Sequence, residues 1–143
     1  MGQALDLARH AQNAGDVPVG ALVLDSDGAV IGTGYNTREV DGDPMSHAEV
    51  VAMREAARAL GSWRLDNYTL VVTLEPCTMC AGTAVQARVA TIVFGAFDEK
   101  AGAVGSLWDV VRDRRLPHRP QVVSGVRADE CATVLSDFFK NQR

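Results

Sequence analysis

Two short stretches of this 143-residue sequence gather residue types that could do chemistry: His47-Ala48-Glu49 and Pro76-Cys77-Thr78-Met79-Cys80. Cysteines at i and i+3 in the first turn of a helix lie on one face, so both sulfurs can bind one ion. The helix N-terminus also favours the thiolates that binding requires. Two thiolates leave a zinc site incomplete. An imidazole from His47 would make a Cys₂His set with an open fourth position, the arrangement of a catalytic zinc site rather than a closed structural one. Glu49 is two residues from His47 and points elsewhere on a regular helix, so it suits a base beside the metal better than a ligand. Zinc lowers the pKa of a bound water towards ~7, and a carboxylate within hydrogen-bond reach can accept the proton. Each stretch alone admits another reading. Ser46-His47-Ala48-Glu49 also matches a capping box, with Ser46 as the cap and Glu49 folding back on its backbone, and Cys-x-x-Cys is also a redox pattern. Found together, each at a helix start and with Pro76 directly before the first cysteine, they favour zinc.

Positioning those residues requires a sheet and helices. Leu5, Ala8 and Ala11 sit at helical spacing over residues 3–14, with Gly15 placed to stop the turn. Residues 20–24 and 29–32 flank Asp25-Ser26-Asp27-Gly28, which predicts a β-hairpin. A loop over 36–45 precedes a second helix, on which Ala48, Val51, Ala52, Ala56, Ala59 and Leu60 keep helical period up to Gly61. Thr69-Leu70-Val71-Val72-Thr73 predicts a buried strand ended by Pro76, Thr78 to Arg88 a third helix, and Thr91-Ile92-Val93-Phe94 another buried strand. A strand, helix, strand unit of this length returns parallel, so the sheet is expected to be mixed. Beyond a Gly-rich loop, 95–105, a short helical stretch is expected near Leu107 to Val111, a last strand over 121–124 and a final helix over 128–140. On that helix Cys131, Val134, Leu135 and Phe138 form one apolar stripe, which makes Cys131 a core residue.

The length and 47% hydrophobic content fit one domain over residues 1–143, whose core needs no metal merely to exist. Three cysteines, two of them paired in sequence, suit a reducing compartment. With no membrane-length apolar run and no signal-peptide pattern after Met1, a cytoplasmic protein is expected. A net charge of -4 argues against a general nucleic-acid binder. The locally basic stretches 112–119 and 140–143 leave room for one phosphate-binding face.

His-x-Glu followed by Pro-Cys-x-x-Cys is the signature of zinc-dependent nucleobase deaminases. Together with Val17-Pro18-Val19-Gly20-Ala21, Thr73-Leu74-Glu75, Val93-Phe94-Gly95-Ala96, Gly105-Ser106-Leu107 and Leu135-Ser136-Asp137-Phe138-Phe139, it makes the sequence resemble the bacterial tRNA-specific adenosine deaminases over nearly its whole length. The resemblance implies an α/β fold: a three-layer α/β/α sandwich of the cytidine deaminase-like type, with a mixed five-stranded sheet and helices on both faces. It implies hydrolytic deamination of adenosine to inosine at the wobble position of a tRNA anticodon stem-loop, by a homodimer with one zinc ion per chain. Carried over residue by residue, His47, Cys77 and Cys80 would bind zinc and Glu49 would be the catalytic proton shuttle. Asn36 would contact the flipped base, Val19 and Leu74 would wall its pocket, and Asp98 would lie beside a neighbouring sugar.

The sequence departs from that pattern at Phe97, where Arg is usual, at Pro117, which replaces the Asn of an Asn-His-Arg motif, and in a sparser basic tail. Deaminases of free guanine, cytosine or deoxycytidylate share the zinc motifs and are the alternative. A silent zinc-containing subunit or an RNA-binding module would have no use for Glu49.

Overall fold

Alternation along the strands decides which helices cover which face of the sheet. The computed structural model describes residues 1–142, so Arg143 of the expected basic tail lies outside the described residues. Its elements run α1 (Gly2–Asn13), β1 (Gly20–Leu24), β2 (Val30–Tyr35), α2 (Arg38–Asp41), α3 (Ala48–Leu60), β3 (Thr69–Leu74), α4 (Thr78–Gln86), β4 (Thr91–Ala96), β5 (Gln121–Val123) and α5 (Ala128–Asn141). The five strands form one sheet in the order β2-β1-β3-β4-β5. β1 pairs antiparallel with β2 and β3, while β3, β4 and β5 are parallel, so the sheet is mixed as expected.

Ala21, Val23, Leu70, Val72, Ile92 and Phe94 point to the side of α3 and α4, where they form the main core with Ala48, Ala52, Ala56, Ala81 and Ala84. The residues between them in the strands, Leu22, Val71 and Val93, pack with Ala4 of α1 on the other side. Ala96, Leu5 and Cys131 continue that layer towards α5, and Cys131 is a core residue, 1% exposed. This is the three-layer arrangement, with a helix pair on each face.

Small residues set the spacing on the α3 side. A Cβ at Gly32 would meet the Ala56 nitrogen at 2.7 Å, and one at Gly34 the Ala52 nitrogen at 2.6 Å, so α3 lies backbone against strand. The alanines on that helix face complete the contact. In the hairpin, Gly28 takes φ +83° while the Asp25 carboxylate accepts the N–H groups of Asp27 and Ala29, each at 2.9 Å.

The structure differs from the sequence expectation in three places. The loop before α3 contains the helical turn α2, which Asp16 anchors by accepting the Glu39 N–H at 2.8 Å. The third helix ends at Gln86, and Arg88 turns the chain at φ +65°. The helix expected near Leu107 to Val111 is absent: Val104 and Asp109 form an antiparallel bridge there, and the N–H groups of Leu107 and Trp108 both donate to the Gly102 carbonyl at 3.0 Å. Helical spacing of five residues is too short a signal to outweigh those loop hydrogen bonds.

Replacing Gly34 with Ala forces α3 away from β2. Overpacking of this kind should cost at least about 1–3 kcal/mol, measured as a lower urea midpoint with an unchanged slope, and wild-type stability in the variant would show that α3 has room to spare.

Candidate functional site

His47 is the N-cap of α3 and Cys77 the N-cap of α4. Both have extended backbone dihedrals, φ -74° and -73°, which turn their side chains out of the coming helix and towards each other. Cys80 lies in the first turn of α4, on the side of Cys77. His47 Nδ1 is 3.5 Å from Cys77 Sγ and 3.4 Å from Cys80 Sγ. Among the described residues these three side chains form the one group of His, Cys, Asp and Glu ligand atoms, all within 4.8 Å of one another, that could hold a metal ion.

Zinc fits this donor set. Tetrahedral bonds of ~2.3 Å to sulfur and ~2.0–2.1 Å to nitrogen place neighbouring N and S atoms roughly 3.5 Å apart, which is the separation found. Two thiolates and one imidazole leave a fourth position open. The titration of the metal-free groups agrees: hydrogen bonds from the Cys80 thiol and then from His47 hold the Cys77 thiol down at about 3, while that same donation and burial push Cys80 up. His47 is raised, chiefly by its hydrogen bond to Cys77. One thiolate is thus kept between two proton donors, and a divalent cation replaces both protons at once.

Glu49 is the second residue of α3, 4% exposed. Burial lifts its carboxyl to about 7, against the opposing pull of its own backbone N–H and of His47. The capping-box alternative does not occur, because His47 rather than Ser46 is the cap and the Ser46 hydroxyl donates to Asp43 Oδ2 at 2.9 Å. The capping oxygen comes instead from Asn36, whose Oδ1 accepts the Ala48 N–H at 2.8 Å. That bond fixes the amide's orientation, and Nδ2 makes no hydrogen bond to another described residue.

The other expected contacts divide into two groups. Val19 is joined to Asn36, whose N–H donates to the Val19 carbonyl at 3.1 Å, and its side chain is buried in the main core. Leu74 and Asp98 line a neighbouring cavity of about 570 Å³ with Val17, Phe97 and Phe139. Phe97 is 57% exposed and packs edge-on against Phe94, with ring centroids 5.2 Å apart, so an apolar ring stands at this mouth where a cation is usual. In the basic stretch Arg112 pairs with Asp109 and Arg115 with Asp113, which leaves Arg114 and Arg119 as its exposed cations without an ion pair among the described residues. Pro117 is exposed, and the His118 that follows donates from Nε2 to the Val89 carbonyl at 2.6 Å.

Two buried carboxylates escaped the sequence reading. Asp16, 1% exposed, takes the N–H groups of Val17 and Glu39 and so pins α2. Glu75, 2% exposed, directly precedes Pro76-Cys77 and gathers hydrogen bonds from residues 98–106. A charged residue at the end of an otherwise apolar strand was the signal that could have marked Glu75.

Residues 1–96 match the cytidine and deoxycytidylate deaminase zinc-binding region. Over all 143 residues the chain is 46% identical to a tRNA-specific adenosine deaminase of Haemophilus influenzae, covering 83% of that protein. It is also 46% identical to one of Bacillus subtilis, covering 88%. A structure solved in studies of A-to-I editing by tRNA:A34 deaminases superposes with a TM-score of 0.91 at 41% identity, over 94% of this chain and 97% of that one. With the signature residues assembled around one metal position and these relatives matched from end to end, the chain belongs to the tRNA-specific adenosine deaminase family of cytidine deaminase-like zinc enzymes.

Proposed function

We propose that this chain hydrolyses adenosine to inosine and ammonia at the wobble position of tRNA, as one deaminase domain over residues 1–143. The observation that carries the reading is a buried carboxylate, Glu49, beside a Cys₂His metal position, in a chain that matches tRNA-specific adenosine deaminases over its full length. His47, Cys77 and Cys80 would hold the zinc ion, which would supply the Lewis acidity that makes a water easier to deprotonate near neutral pH. Glu49 would accept one proton from the attacking water and deliver it to N1 of the adenine as oxygen adds at C6, then take the second proton from the added hydroxyl and pass it to the amine, which leaves as ammonia. A carboxyl raised to about 7 suits both directions of transfer. Asn36 offers its Nδ2 donor to the flipped base, Val19 and Leu74 wall the ring, and Asp98 sits on the side of the neighbouring nucleotide.

The reading extends to a homodimer acting in the cytoplasm. Support for a partner subunit comes from large apolar side chains left exposed on the single chain, among them Met45, Trp63, Leu107 and Trp108. Among the described residues no helix is long and apolar enough to cross a membrane.

An anticodon stem-loop with adenosine at the wobble position should yield inosine, read by mass spectrometry or sequencing. Turnover of free guanine, cytosine or deoxycytidylate with no reaction on the stem-loop would replace this reading by that of a free-base or nucleotide deaminase. Glu49→Gln should retain about one zinc per chain yet lose about 10²–10⁴-fold in kcat, whereas undiminished turnover would remove Glu49 from proton transfer. Zinc binding must expel the proton that the metal-free site holds on Cys80, whose thiol is raised. Zinc affinity should therefore fall with pH, about tenfold per unit for each proton released, and a pH-independent affinity by competition with a chelator would contradict the thiolate assignment.

A further inference from the structure

Glu75 ends in a carboxylate that meets no cation: among the described residues no Lys, Arg or His pairs with it. A buried carboxylate without a counter-ion is expensive unless several donors replace water. Here every donor comes from one irregular segment. Oε1 accepts the Asp98 N–H at 3.2 Å and the Ser106 hydroxyl, and Oε2 accepts the N–H groups of Val104 at 3.0 Å and Ser106 at 3.1 Å. The same segment is tied to the metal-binding strand end once more, by the antiparallel bridge between Gly102 and Cys77, in which the Ala103 N–H donates to the Pro76 carbonyl at 2.8 Å. Gly102 has no space for a side chain, since a Cβ there would overlap the Glu75 carboxylate and the Asp98 carbonyl.

Residues 98–106 have isolated bridges but no helix or strand of their own, and besides their internal hydrogen bonds and the Arg112 side chain on the Val104 carbonyl, the Glu75 carboxylate at their centre takes three of their N–H groups. Asp98, at one end, faces the cavity it shares with Leu74 and Phe97, and its own carboxylate is turned back onto the N–H groups of Lys100 and Ala101. At the other side of Glu75, one peptide beyond Pro76, stands Cys77. Resting on the reading that RNA binds at this mouth, we propose that Glu75 is a positioning residue for substrate binding: its carboxylate locks segment 98–106 against Cys77 and holds Asp98 and Phe97 at the entrance.

The test is Glu75→Gln in the zinc-loaded protein. The amide keeps the size but turns one acceptor into a donor facing backbone N–H groups. KM for the wobble-adenosine stem-loop should rise about tenfold or more, the scale of losing a charge-assisted hydrogen bond, while kcat changes less, and zinc content stays at wild type. Amide exchange should quicken over residues 98–106 and not across the sheet, which a general loss of stability would not reproduce. Gly102→Ala, which crowds the carboxylate without altering it, and Ser106→Ala, which deletes one donor, should raise KM in the same way and carry the test if Glu75→Gln fails to fold. Wild-type KM in the folded, zinc-loaded variants overturns the proposal, even where exchange rises. Inactivity of the unmutated enzyme on the stem-loop would instead overturn the substrate reading, and exchange over 98–106, which needs no substrate, then decides the clamp by itself: unchanged protection in Glu75→Gln rejects it.

Discussion

Backbone-to-backbone contact between α3 and β2, made at Gly32 and Gly34, sets where His47 stands. The sheet fixes α4 independently, because β3 delivers the chain to Pro76 and the parallel return to β4 leaves α4 beside α3. With both helices seated, their N-termini meet at one place. Unsatisfied N–H groups and two helix dipoles then create a field that favours anions, where two sulfurs must become thiolates. The ligands contribute geometry and, through the hydrogen bonds of Cys80 and His47, hold Cys77 as a thiolate; the helix N-termini that carry them add to that preference.

Buried carboxylates divide the labour around that position. Asp16 and Glu75 spend their oxygens on backbone N–H groups and so hold α2 and residues 98–106 in place, one on each side of the site. Glu49 is equally buried but lacks such a set of donors, and burial raises its carboxyl to about 7. The same residue type is structural where donors surround it and keeps a raised pKa where they do not, the property that the proposed proton transfer would use. Asn36 shows the same division within one side chain, its oxygen capping α3 while its nitrogen makes no hydrogen bond to another described residue.

The proposed recognition surface is built differently from the metal position. Its parts would come from loops and one helix: Val17 and Val19 before β1, Asn36 after β2, Asp98 after β4, and Phe139 on α5. Such surfaces tolerate exchange of individual side chains more easily than a three-ligand site does, and Phe97 is a case in point. Its ring is held by Phe94 and presents an apolar face, so this entrance offers stacking where a basic side chain would offer charge.

The metal ligands, the alternating strands, the helix pairs and the parallel crossover were legible in the sequence because each rests on local spacing: i and i+3 for two sulfurs, period two for strands, 3.6 for helices. Helical spacing misled at Leu107 to Val111, where five residues could not outvote the hydrogen bonds that fold this stretch back onto residues 102–105. The capping-box ambiguity at Ser46 was also beyond local reading, because the competing cap, Asn36, lies on another element. For the same reason the clamps at Asp16 and Glu75 stayed hidden, since the donors that make them clamps, Glu39 for Asp16 and residues 98–106 for Glu75, are 23 to 31 residues away along the chain. Sequence by itself determined which groups could do the chemistry. Only the tertiary structure decided which buried carboxylate is left free to do it, since that depends on where the backbone donors of other segments come to rest.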